Sequence, residues 1–167
     1  IACIARIFNT FRNPDKETVL TPWRVVNMHL SECLGGFSFW NEDFTEPVSK
    51  PRWTNRGSVT AEVFAPDSRI LEINSKSGLY PLYMAYSIYR ARARREDPDA
   101  SPETWSRERQ CALWSKVVEE NIFVVCKTKM AKSITKRTLR GFRETEINAH
   151  CFDDLVALLK DKPRQFI

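Results

Sequence analysis

The chain has 167 residues, of which 43% are hydrophobic and 28% are charged, a composition typical of one globular domain and unlike that of a disordered protein. Its net charge of +5 permits nucleic-acid binding without requiring it. The five cysteines are widely spaced and form no Cys-x-x-Cys pair, so we predict no zinc site or other metal site, no disulfide scaffold, and a reducing, cytoplasmic setting. We expect no membrane partner, because no apolar run approaches the roughly 20 residues of a membrane span.

Residues 1–36 predict a helical lead-in. Ile1–Phe11 carries an apolar stripe at helical spacing, and a second helix begins at Thr21, which suits the N-cap, with Pro22 in the first helical position. Gly35-Gly36 ends that helix. His29 lies on it, and we interpret this histidine as a packed or half-exposed side chain rather than a functional one. The chain opens in the middle of an apolar pattern, so we expect it to be part of a longer protein.

Residues 37–67 are rich in aromatic residues and prolines and lack helical periodicity. We predict an irregular insert with short extended pieces and a small hairpin around Asn55-Arg56-Gly57. Its aromatic side chains suit two roles, stacking on nucleic-acid bases or covering the edge of the core, and the second is the more common.

Residues 68–167 predict repeated βα units. Ile70–Ile73 is short, apolar and β-branched, which favours a buried strand, and a polar loop containing Gly78 leads into a helix over Leu79–Arg95. The elements predicted after it are a helix at 102–120, a strand at Asn121–Lys127, a helix at Met130–Leu139, an extended segment at Glu144–Cys151 and a helix at Leu155–Lys160. This order predicts an α/β fold, a Rossmann-like parallel sheet with helices on both faces and with the Ile70–Ile73 strand in its centre.

Four segments, taken in order, resemble the amino-terminal half of the methyltransferase domain of bacterial adenine-N6 DNA methylases of restriction-modification systems. Thr21-Pro22 is similar to the family's Phe-Thr-Pro motif, and Leu71–Gly78 lies where the family has Leu-Asp-Pro-Ala-Cys-Gly-Ser-Gly. Phe123–Leu139 lies where the family has an acidic strand end, Asp-Pro-x-Ala and a helix. Asn148–Leu155 resembles the segment whose aspartate contacts the cofactor adenine.

The resemblance implies a truncated, partial methyltransferase-like domain over residues 1–167 that binds S-adenosylmethionine. The residues that it implies for cofactor binding are Thr21, Pro22, Glu72, Asn74, Ser75, Gly78 and Asp153. Two positions depart from the family. Lys76 stands at the first glycine of the loop, and Cys126 stands near the position of the expected ribose carboxylate.

The family's catalytic motif, Asn-Pro-Pro-Tyr or Asp-Pro-Pro-Tyr, does not occur in the sequence. Asn13-Pro14-Asp15 and Asp97-Pro98-Asp99 are the nearest strings, and both lack the second proline and the aromatic residue. The expected function is therefore the cofactor-binding half of a DNA adenine-N6 methyltransferase, with no catalytic residues of its own. Its expected partners are DNA, through the full-length protein, and restriction or specificity domains of the same polypeptide.

Two other classes of protein stay open. A nucleotide-dependent dehydrogenase is disfavoured, because the loop lacks Gly-x-Gly-x-x-Gly and no acidic residue stands at the ribose position. A non-catalytic DNA-binding or assembly module with a degenerate methyltransferase fold is favoured by Lys76 and Cys126. The candidate DNA contacts, on one face of a predicted helix, are Lys132, Lys136, Arg137 and Arg140. A solvated helix face is the commoner reading of such a cluster.

Overall fold

The computed structural model describes residues 20–141, 143–152, 156, 157 and 160. The predicted helix at Ile1–Phe11, half of the predicted helix at Leu155–Lys160 and the candidate cofactor residue Asp153 lie outside the described residues. None of the described helices is both long enough and apolar enough to cross a membrane.

Within the described residues the chain alternates helices and strands, with a 3₁₀ turn at Pro102–Thr104. The helices are α1 (Trp23–Cys33), α2 (Ser58–Val63), α3 (Leu79–Glu96), α4 (Arg107–Asn121) and α5 (Lys129–Arg140). The strands are β1 (Gly36–Trp40), β2 (Pro47–Thr54), β3 (Ile70–Ser75), β4 (Ile122–Cys126) and β5 (Asn148–Cys151).

Strands β3, β4 and β5 form a parallel sheet in that order, as the α/β prediction requires. The predicted central position of Ile70–Ile73 is wrong for the described sheet, because β4 lies in the middle and β3 lies at an edge. The burial of the side chains explains the difference. Most side chains of β4 are buried on both faces, whereas Leu71 and Ile73 on β3 are 54% and 58% exposed.

The helices that follow β3 and β4 pack against the sheet and against each other. Helix α3 contacts β3 and β4, and helix α5 contacts all three strands of the sheet and also contacts α3. Leu71 and Ile73 are exposed, so the described helices leave their face of β3 uncovered. Helices on both faces of the sheet therefore stay a prediction.

The aromatic-rich insert is a two-stranded antiparallel sheet, β1 with β2, followed by helix α2. The predicted hairpin around Asn55-Arg56-Gly57 is wrong, because the chain reverses over residues 41–46 and Gly57 instead precedes α2. Asn41 makes the turn. Its Oδ1 accepts hydrogen bonds from the backbone N–H groups of Thr45 (2.8 Å) and Glu46 (3.3 Å).

Helix α3 forms the centre of the core and positions the insert. Its Tyr83 is fully buried and donates a hydrogen bond of 2.7 Å to the carbonyl of Gly35. Asn27 on α1 is also fully buried, and its Oδ1 accepts from the backbone N–H of Phe39 at 2.8 Å. These two bonds fix the hairpin against α1 and α3, because breaking either would leave a buried polar group without a partner.

Helix α4 begins later than the sequence suggests. The predicted start at 102 is wrong, because Pro102–Thr104 closes only a 3₁₀ turn and the α-helix begins at Arg107. Ser106 is its N-cap, and the hydroxyl accepts a hydrogen bond of 3.2 Å from the backbone N–H of Arg109.

Candidate functional site

A pocket of about 470 Å³ runs along β3 to the loop at its carboxyl end. Its walls come from the segment before α1, from β3 and its following loop, and from α1 and the first turns of α3. The volume lies within the range of small-molecule sites, and the carboxyl ends of parallel strands are where open α/β sheets bind ligands.

Thr21 reaches this pocket from a separate part of the chain. Helix α1 begins at Trp23, with Pro22 at the N-cap position and no side-chain cap, so Thr21 does not cap the helix as predicted. It instead lines the pocket together with Glu72 and Asn74. Pro22 is exposed beside it. Two segments some 50 positions apart in sequence thus bring three of the predicted cofactor residues to one wall.

Glu72 is the most perturbed acidic group in this pocket. Burial raises the pKa of its carboxyl to about 7, against the opposing effect of a hydrogen bond from Ser75. Its Oε2 is buried and has no hydrogen-bond partner among the described residues. A buried carboxylate oxygen without a donor is costly, and a ligand ammonium or hydroxyl in the pocket would satisfy it.

Asn74 and Lys76 give the loop its shape and charge. Asn74 has a φ of +68°, a left-handed conformation that asparagine tolerates better than most residues. The register of β3 against β4 shifts between Ile73 and Ser75, so strand alternation ends there. Lys76 lines the pocket and brings a positive charge to its wall.

Ser75 and Gly78 face α5 rather than the pocket. The hydroxyl of Ser75 is buried and lies 3.2 Å from the hydroxyl of Thr135. A Cβ added to Gly78 would lie 3.1 Å from the Cα of Thr135, so the absence of a side chain permits a close approach between the loop and α5. The structure therefore gives these two predicted cofactor residues a packing role.

Tyr80 and His29 belong to the pocket region, although the sequence argument gave neither a binding role. Tyr80 lines the pocket, and its hydroxyl lies 3.2 Å from Nδ1 of His29. Burial, and secondarily the charge of Glu72, raises the pKa of Tyr80. The position of Tyr80 in the sequence, in the first helical turn after a strand-end loop, could have predicted that it lines the pocket. The partner histidine was not foreseeable, because it comes from another helix.

The carboxyl end of β4 lacks the acid that a ribose would need. Cys126 ends the strand, is almost fully buried, and lies with its sulfur 3.8 Å from the Thr135 hydroxyl. Burial raises the pKa of this thiol, so it stays protonated at neutral pH. The pocket therefore offers a carboxylate for an amino-acid moiety, but β4 offers none for a ribose. No group of three potential metal ligands lies together among the described residues.

Helix α5 carries the basic stripe predicted as a DNA contact. Lys132, Lys136 and Arg140 recur every four residues along the helix, and Arg137 lies beside them. The neighbouring face, which includes Thr135 and Leu139, is buried. Lys132, Lys136 and Arg140 are half-buried and Arg137 is exposed, so the stripe borders a buried face that holds the loop after β3.

Comparison of the chain with protein-family models, with curated proteins and with solved structures returned no match. The likeness to the methylase family consequently depends on four short segments and on the pocket where two of them meet.

Proposed function

We propose that this chain is the cofactor-side part of an S-adenosylmethionine-dependent DNA adenine-N6 methyltransferase of a restriction-modification system. One observation carries the proposal, namely that Thr21, Glu72 and Asn74 line one pocket beside a parallel strand. Two segments that bind one ligand must lie at the same pocket. The Thr-Pro segment and the β3 segment are far apart in sequence, so their meeting there is not a consequence of chain connectivity.

The pocket suits the amino-acid end of the cofactor. The unpaired Oε2 of Glu72 accepts a hydrogen bond from the ligand's ammonium, while Thr21 and Asn74 supply neutral polar groups on the same wall. The bound cofactor would supply a methyl group on a sulfonium centre. Transfer of that group to adenine belongs to the Asn/Asp-Pro-Pro-Tyr motif, which the sequence lacks, so the chain alone should not methylate DNA.

The substrate, partners and location are proposed for the full-length protein. DNA is the proposed substrate class, restriction or specificity domains of the same polypeptide are the proposed partners, and the cytoplasm is the proposed location. The basic stripe on α5 gives this part of the protein a surface for phosphates.

A second candidate is a non-catalytic DNA-binding or assembly module with a degenerate methyltransferase fold. The buried Cys126 at the end of β4 favours it, because a thiol sealed under α5 does not replace a ribose carboxylate. Lys76 in the pocket wall favours it as well, since its charge repels the sulfonium of the cofactor.

A thermal-shift titration separates the candidates. A ligand that binds only the native state raises the melting temperature with its concentration. We expect S-adenosylmethionine to raise it, NAD to leave it unchanged, and the Glu72→Gln variant to lose the shift. Absence of any shift with S-adenosylmethionine would favour the degenerate module, and a shift with NAD alone would favour a dehydrogenase.

A further inference from the structure

A second cavity, of about 510 Å³, lies between the insert and the carboxyl-terminal end of α3. Its walls are the β1–β2 hairpin, the last turns of α3 and the loop over residues 98–102. It shares no wall residue with the pocket at Glu72. The proposed cofactor function gives this cavity no role.

An exposed tryptophan forms one wall of the cavity. Trp53 on β2 is 45% exposed, although its ring packs against Phe37 at 5.0 Å and against Phe64 at 6.1 Å between centroids. The two neighbouring rings hold the indole in place and leave part of its surface open. A fixed, open aromatic ring is a stacking platform for a planar ligand, and nucleic-acid bases are the common planar groups that use one.

Arginine side chains form the adjoining wall. Four arginines end α3, and three of them have carboxylate partners: Arg90 with Glu103, Arg92 with Glu120 and Arg95 with Asp67. Arg94 is exposed, lines the cavity and has no ion-pair partner among the described residues. The guanidinium of Arg90 also lies over the ring of Phe37, 4.9 Å from its centroid. An aromatic platform and an unpaired cation thus share one cavity.

We propose that this cavity binds single-stranded nucleic acid, with one base stacked on Trp53 and a neighbouring phosphate at Arg94. The unpaired guanidinium of Arg94 and the net charge of +5 complement a polyanion. A proline-rich peptide also docks on aromatic grooves, but it has no charge that needs Arg94. The wall contains one carboxylate, Asp99, which is exposed. Its negative charge repels a phosphate, so removing that charge should strengthen the binding of nucleic acid.

The test is a fluorescence-anisotropy titration of a labelled oligothymidylate with the full chain at low and moderate salt. Trp53→Ala should weaken binding about tenfold, and Trp53→Phe should retain most of it, because base stacking needs an aromatic ring. Arg94→Glu should weaken binding and flatten its salt dependence, whereas Asp99→Asn should strengthen it. Arg24→Ala removes an exposed arginine from α1 and is the matched control that should change little.

Thermal melts of each variant show whether it folds. If Trp53→Ala does not fold, Arg94→Glu still tests the proposal, because Arg94 is exposed and its substitution should leave the fold intact. An abasic oligonucleotide of equal length should bind more weakly than the oligothymidylate. Equal binding of the abasic strand, or binding insensitive to both Arg94→Glu and Trp53→Ala, would overturn the proposal. Trp53-dependent binding of a proline-rich peptide, with none of the oligothymidylate, would assign the cavity to peptides instead.

Discussion

A Cβ on Gly78 would lie 3.1 Å from the Cα of Thr135, so the loop after β3 and helix α5 approach each other as closely as a glycine allows. The same helix also holds the loop through Thr138, whose hydroxyl donates a hydrogen bond of 2.6 Å to the carbonyl of Ser77. The loop that shapes the candidate cofactor pocket is therefore held from behind by α5.

Substituting Gly78 by alanine should destabilise the protein by about 2 kcal/mol. Alanine strains at the φ of +75°, and its methyl group would press on the backbone of α5. The free energy of unfolding from urea denaturation measures the change. Asn74→Gly is the control, because Asn74 has a similar φ of +68° and glycine relieves strain there. Equal stability of Gly78→Ala and the wild type would contradict the close approach.

The raised pKa of Glu72 predicts a pH dependence of stability. Its carboxyl has a pKa of about 7 in the folded protein and an ordinary value of 4.5, so between these pH values the folded state retains a proton that the unfolded state releases. Stability from this group is complete below about pH 4.5 and declines as the pH rises to about 7.

Glu72→Gln should remove that decline. Relative to the wild type, the variant should gain about 2 to 3 kcal/mol in the free energy of unfolding between about pH 4.5 and about pH 7.5. Urea denaturation of both proteins across this range measures the difference. A difference that stays constant with pH would show that the carboxyl is not titrating in the way its burial implies.

Several elements were predictable because their pattern is local. Helix α3 shows helical periodicity in its own residues, and the continuous apolar run of β4 marks a strand buried on both faces. The central position of β4 in the sheet was not predictable, because a strand's place depends on its neighbours. The turn over residues 41–46 was missed because Asn41 makes it without a glycine or proline at its centre.

The candidate site was predictable in the same partial way. The strand-end rule identified Glu72 and Asn74, which line the pocket. It also identified Ser75, whose side chain turns to α5 because the register of β3 shifts just before it. A change of one residue in register reverses the direction of a side chain, and the sequence contains no signal for that shift.

The basic stripe on α5 should bind duplex DNA weakly and without regard to sequence. Replacing Lys132 and Lys136 together by alanine should lower the magnitude of the log–log salt slope by about two, since each phosphate contact contributes about one. Anisotropy titrations of a short duplex at several salt concentrations measure the slope. An Arg24→Ala, Lys116→Ala double variant removes the same charge from exposed positions elsewhere and should leave the slope closer to that of the wild type. Tight binding that depends on sequence and survives moderate salt would contradict the expectation.

The central claim is that Glu72 holds the ammonium of S-adenosylmethionine, and calorimetry of this binding at about pH 6.5 tests it most directly. At that pH most Glu72 side chains in the free protein carry a proton, because the pKa is about 7, and pairing with an ammonium requires the carboxylate. Titrations in two buffers of different ionisation enthalpy should therefore show binding with release of about three quarters of a proton, and Glu72→Gln should lose the affinity and the release together. No binding, or binding with no proton released and no loss in Glu72→Gln, would contradict the account.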